Sequence, residues 1–310
     1  MHDCSHVWVR LYLMRNIVFR NAIDLSHLPA SWNLVRIAAD WIGSPLLPFV
    51  DGKPTPPDRA AISADPWVFT RWYQTPPTAH YAMYLRGNNM RTVCFERSQQ
   101  LSTFHLQPFG KGWLLADRRG CRGNIYDDGL FLRSIDLGDA SEDVQTTPDD
   151  RILMSYFDEG VFGSGIGRQG AVCFDSSGNP VFQYGEFAER NGLPFISDCY
   201  ALNVTVSGDV WLNYYTDFPL VQLRGFALEH WWSDFGVTGN GFAVKDKAVI
   251  YCKDAHVFSR PLESSDKEEM LHAEDESGMA LVPLSTPHLG YAFRGTHIVL
   301  NTGSAVYVSA

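Results

Sequence analysis

The sequence predicts an all-β fold, a single β-propeller of six blades closed by its N- and C-terminal strands, on three observations. Residues 142–158 and 200–217 share one phrase: a strand, a polar turn, a second strand ending in aromatics, then an Asp (Asp158, Asp217). Four hairpins of this cadence recur along the chain, which favours radial repetition over a β-sandwich. The composition agrees, with 13% aromatic residues, 26 Gly and 17 Pro in 310 residues, as many short strands with turns between them require.

In chain order, residues 1–16 read as an N-terminal extension and residues 17–310 as the propeller. Residues 18–23 form a lone edge strand. Residues 34–39 and 45–50 pair, Asp51-Gly52-Lys53-Pro54 is a turn, and a Gly87-Asn88-Asn89 turn joins strands 80–85 and 91–95 into the rest of a first blade. Seven blades are the alternative, if the Pro- and Trp-rich residues 58–78 hide another hairpin. The second blade spans residues 104–136, with turns at Gly110-Lys111-Gly112 and Asp127-Asp128-Gly129. The third adds residues 170–175 and 180–184, the fourth residues 220–223 and 227–232, and the fifth opens with residues 241–252. Residues 263–277 are acidic and read as a solvated insertion or a short surface helix. The last three strands, residues 290–293, 297–300 and 305–308, need a fourth, which the N-terminal strand can supply.

Charge and cysteine usage narrow the function. A net charge of −10 and a pI near 5.4 speak against a nucleic-acid partner and against an anionic membrane surface. The six cysteines are scattered without a C-x-x-C, as buried free thiols in a reducing compartment are. The run from Val7 to Arg15 is broken by arginines, so it is neither a signal-peptide core nor a membrane span. These features predict a cytoplasmic monomer.

Gly165-Ile166-Gly167-Arg168-Gln169-Gly170 matches G-x-G-x-x-G, but a strand follows where dinucleotide binding needs a helix, so it is read as a loop. No H-E-x-x-H, paired-His spacing or G-x-S-x-G occurs. The informative constellation is acidic. Inner strands begin on the face where second strands end, which brings Asp158, Glu159, Asp217 and Asp254 to the same mouth as Glu142, Asp143, Asp198, Tyr200, His105 and Asn240. Such a mouth suits a small ligand or a protein partner. Its carboxylates also suit Ca2+ or another divalent cation, with Glu142 and Asp198 as metal ligands. Against this stands a purely structural use, in which an Asp after each strand accepts backbone N–H bonds and fixes the loop. The run Arg118-Arg119-Gly120-Cys121-Arg122 reads either as a grip for an anionic group or as a solvated loop paired with carboxylates.

The cadence of turn, Gly, aromatic and Asp resembles the gluconolactonase and regucalcin group and NHL-type repeats. The phrases from Thr146-Thr147-Pro148-Asp149 to Asp158-Glu159-Gly160, and from Asp198-Cys199-Tyr200 to Asp217-Phe218-Pro219, are similar to an uncharacterised bacterial propeller family over about residues 100–260. The lactonase resemblance implies a channel metal held by Glu, Asn, Asn and Asp that polarises a lactone carbonyl. Its ligand positions fall near Phe104 or His105, Glu142, Tyr200 and Gly239, so Glu142 is the one matching ligand and Asn203 lies deeper in its strand. The expectation is therefore a binding propeller, with a metal-dependent hydrolase of rearranged ligand set (Glu142, Asp198, with Asn240 or His105) and a structural scaffold as alternatives.

Overall fold

The computed structural model describes residues 16–52, 59–65, 67–68, 77–96, 101, 104–118, 120–236, 238–263 and 268–310. The extension expected at residues 1–16 lies almost wholly outside them, and the first strand starts at Asn16.

Short apolar runs separated by tight turns form four-stranded antiparallel sheets arranged as blades. The second blade is Phe104–Phe109, Gly112–Asp117, Arg122–Asp127 and Leu130–Asp136. The third is Ser141–Thr146, Ile152–Tyr156, Ala171–Phe174 and Pro180–Gln183. The fourth is Asp198–Val204, Val210–Tyr215, Leu220–Arg224 and Ala227–Trp232. In each, burial is greatest in the inner strands and falls toward the outermost strand, because only the edge meets solvent on both faces.

The first blade differs at its inner edge. Trp32–Leu34 and Ala38–Ala39 both pair antiparallel with Pro45–Asp51, and the strand expected over residues 34–39 is broken at residues 35–37. Pro45–Asp51 pairs next with Ala79–Arg86, and that with Asn89–Phe95. Residues 52–78 thus connect two neighbouring strands of this blade, and their described part carries the helix Arg59–Ala64. Residues 53–58, 66 and 69–76 lie outside the described residues.

The fifth blade corrects the sequence reading. Its strands Phe242–Lys245, Ala248–Lys253 and His256–Pro261 are followed by a fourth, Glu269–Asp275, in the stretch expected to be an insertion or helix. The alternation of Met270, His272 and Glu274 with Leu271 and Ala273 suits an outer strand, and acidity alone hid it. The sixth blade, Tyr291–Arg294, His297–Asn301 and Ala305–Ser309, takes the N-terminal strand Asn16–Asp24 as its outer strand. That strand also pairs in parallel with Glu269–Asp275, so the fifth and sixth blades merge into one eight-stranded sheet.

The inner strands touch in turn from the first blade to the sixth and back to Ala38–Ala39. This closed ring of six units among the described residues is a β-propeller. Aromatics at the ends of the second strands pack inward, Tyr156 and Tyr214 being fully buried, with the Tyr214 hydroxyl 2.7 Å from that of Tyr184. Among the described residues no helix is long and apolar enough to cross a membrane.

Candidate functional site

Several buried side chains reach between blades. Gln145 donates to the Leu202 carbonyl (2.9 Å) and accepts from the Val204 amide (2.8 Å). Arg294, almost wholly buried, donates to Gln145 Oε1 (3.0 Å) and to the Thr146 carbonyl. Gln107 donates to the Ala39 carbonyl (3.3 Å). Asn203 holds Gly295 through both backbone groups, donating to its carbonyl (2.9 Å) and accepting from its amide (2.6 Å). Asn203 opens the glycosylation sequon Asn203-Val204-Thr205, but it is buried in the ring and its amide is an inter-blade clamp.

Where inner strands begin, a cavity of about 140 Å³ opens, lined by Arg36, His105, Arg118, Glu142, Asp143 and Asn240 among others. Local irregularities in the inner strands place these side chains. The break at residues 35–37 turns Arg36 into the channel, although the Val35 amide still donates to the Pro48 carbonyl (2.9 Å). The third blade's inner strand slips register between Ser141 and Asp143. A regular strand would send Glu142 and Asp143 to opposite faces; the bulge lets both line the cavity. The fourth blade slips likewise between Asp198 and Ala201.

Charges of both signs interlock here. Arg118 donates to Glu142 Oε2 (2.7 Å) and lies over the Phe157 ring, 5.5 Å from its centroid. Arg36 contacts the His105 ring and sits 3.7 Å from Asp143 Oδ1, while His105 Nδ1 is 3.6 Å from that same oxygen. Burial first, and then the Arg36 charge, push the His105 imidazole down to about 3, so it is neutral at physiological pH. Burial raises the Asp143 carboxyl, but the nearby His105 ring and the Arg36 charge outweigh it, and the group lies below its usual range. The Nε atoms of Arg36 and Arg118 are buried and have no hydrogen-bond partner among the described residues.

The remaining residues expected at the mouth are spread around it. Asp198 is half-buried, and burial followed by the charges of Glu142 and Asp158 push its carboxyl up to about 6. Tyr200 stacks on Phe218 at 6.0 Å. Asp158 and Glu159 open the short helix Asp158–Val161, with the Glu159 amide donating to Asp158 Oδ1 (2.8 Å). Asp217 (φ 66) and Asp254 (φ 48) take left-handed positions in exposed hairpin turns, a conformation that Asp tolerates better than most residues; neither lines the cavity. Among the described residues, no group of three or more His, Cys, Asp or Glu side chains comes together to hold a metal ion. The expected loop at Gly165–Gly170 is a 3-10 turn over Ile166–Gln169 leading into the strand Ala171–Phe174. Arg36 was missed, although a lone arginine inside an apolar inner-strand run was a visible signal. Arg118 pairs with a carboxylate as its solvated-loop reading requires, yet it also lines the cavity.

Asp198 yields a pH prediction. Its folded pKa is raised, so the folded state holds a proton that the unfolded state releases between about pH 4 and 6, and stability falls as pH rises through that window. Asp198→Asn is expected to melt higher than wild type near pH 7, with the gap closing near pH 4. A gap that stays constant between those pH values would refute the raised Asp198 carboxyl and its cause in burial and neighbouring charge.

Fold and site together define a propeller with a mixed-charge cavity at one channel mouth. Residues 171–309 match the model of the YxzG family. No curated protein matches the chain. Solved structures similar in overall shape include virginiamycin B lyase from Staphylococcus aureus (9% identity, TM-score 0.47, covering 93% of this chain and 97% of that one). The Dos1 propeller is another (12%, 0.47, 96% and 95%), as is the CNH domain of AfRom2 (8%, 0.44, 94% and 98%). The propeller assignment rests on the strand order and the ring of inner strands.

Proposed function

We propose that this protein binds a small polar molecule in the cavity at the channel mouth. The observation that carries the reading is convergence. Side chains from the first, second and third blades, joined by Asn240 and His288 before the fifth and sixth inner strands, face one space of about 140 Å³, and Arg36, Arg118, Glu142 and Asp143 lie in it as interlocked ion pairs. Charged groups partly withdrawn from water are costly unless they serve structure or recognition. Gln107, Gln145, Asn203 and Arg294 already stitch the ring, Gln107 and Gln145 from within the cavity lining, which leaves the charged pairs for recognition. The free cysteines, of which Cys173, Cys199 and Cys252 are buried, support residence in a reducing compartment such as the cytoplasm.

The test is a thermal-shift and calorimetric screen of polar metabolites against wild type and Ala292→Phe, which narrows the cavity. At least one compound should bind wild type and lose most of its affinity for the variant. Compounds that bind both equally, or a screen with no binder, would overturn the reading.

A metal-dependent hydrolase is the second reading, favoured by the closeness of Glu142 and Asp198 that raises the latter. It requires a stoichiometric divalent ion in the purified protein and a melting temperature that EDTA lowers and Ca2+ restores. A chelator-insensitive, metal-free protein would remove it.

A further inference from the structure

We infer that the ligand of this cavity carries a carboxylate group, gripped by Arg36 and Arg118; the inference rests on the cavity being a ligand site. A guanidinium presents five N–H donors in a fixed fork. Among the described residues, Arg36 spends one nitrogen on His105, stands too far from Asp143 for a direct hydrogen bond at 3.7 Å, and leaves Nε without a partner. Arg118 spends Nη2 on Glu142 and likewise leaves a buried Nε unpartnered. Buried donors without acceptors are costly. Both guanidinium groups line one cavity, each with only one terminal nitrogen spent on a hydrogen bond among the described residues, which defines a place for an acceptor that supplies several lone pairs at once.

Charge selects the acceptor. The lining holds two cations, Arg36 and Arg118, and two anions, Glu142 and Asp143, with His105 neutral. A dianionic phosphate would set two further negative charges beside two carboxylates in a partly dehydrated space. A monoanion adds one, and a planar carboxylate also matches the fork for paired N–H···O bonds. Neutral Asn240 remains to bond another polar atom of the same molecule without adding charge. The size of the space suits a small organic acid.

The experiment titrates pyruvate and acetate, with acetamide as the uncharged counterpart and inorganic phosphate as the dianion, at constant ionic strength. It follows the arginine Nε–H signals by NMR, alongside affinities for wild type, Arg118→Lys, Arg36→Gln and Ala292→Phe. Arg118 is part-exposed, so its lysine variant keeps the fold and the charge and loses the fork. Pyruvate is expected to bind saturably and to shift both Nε–H signals. Arg118→Lys should weaken it about tenfold or more, since charge-assisted paired bonds are the strong ones. Acetamide should leave the signals in place. Phosphate binding more tightly than both carboxylates, or carboxylate affinity indifferent to both arginine variants, would overturn the inference. A neutral compound that binds wild type, loses affinity for Ala292→Phe and ignores the arginine variants would defeat the carboxylate while leaving the cavity's role intact. Binding of every compound indifferent to Ala292→Phe would defeat both.

Discussion

Phe19→Ala is expected to lower the unfolding free energy by about 3–5 kcal/mol, the usual result of emptying a fully buried aromatic site. Phe19 is fully buried and lies on the strand Asn16–Asp24 that joins two blades. It pairs with Ser309 on one side and Asp275 on the other, and packs with Ile298, Leu300 and Tyr307 of the sixth blade and Val257 and Ala273 of the fifth. Its loss therefore loosens the seam that closes the ring as well as one core. Stability of a domain is typically about 5–15 kcal/mol, so the effect is a large share of the total. Val18→Ala, on the same strand but exposed, should change stability by less than about 1 kcal/mol. Urea unfolding followed by tryptophan fluorescence gives both values. Similar small effects for the two would mean that the N-terminal strand does not secure the ring.

Asn203→Leu should cost about 2–5 kcal/mol, the sum of leaving the Gly295 amide and carbonyl unpaired inside the protein. The shape is nearly conserved, so cavity formation contributes little and the polar penalty dominates. Asn203 is fully buried and joins the fourth blade's inner strand to the turn that leaves the sixth blade's inner strand. The specific readout is hydrogen exchange. The Gly295 amide should exchange much faster in the variant than in wild type, while amides of the second blade hold their rates relative to global unfolding. An unchanged Gly295 amide would mean that the clamp is dispensable.

These effects show why Asn203 could not be placed from the resemblance to metal-binding lactonases. It sits in the same strand as a candidate ligand position, but deep enough that its amide meets backbone across the ring rather than the mouth. Depth along a strand decides between ligand and clamp, and sequence spacing gives only relative positions.

The fold was largely legible because each blade is local. Short apolar runs and Gly- or Asp-bearing turns identify strands and their neighbours within a few tens of residues, so the second, third and fourth blades read correctly from residues 104–232. The N-terminal strand as closing strand was also legible, because the chain ends one strand short. The outer strand Glu269–Asp275 was not, since its polar and acidic residues read like a surface loop, and its parallel partner Asn16–Asp24 lies about 250 residues away in the chain.

The sequence by itself determined that the chain is all-β, that its blades recur, and that the starts of the inner strands carry acidic and imidazole groups such as Glu142, Asp143 and His105. Tertiary structure alone decided which of these meet. A strand break at residues 35–37 and register slips over residues 141–143 and 198–201 interrupt the regular strands on which sequence reading depends, and they re-aim side chains such as Arg36 and Asp143. Arg36 and Asp143 are neighbours only because the ring brings the first blade's broken strand beside the third blade's bulge. Charge pairing across blades is a property of closure, and closure is not written in any local stretch of the chain.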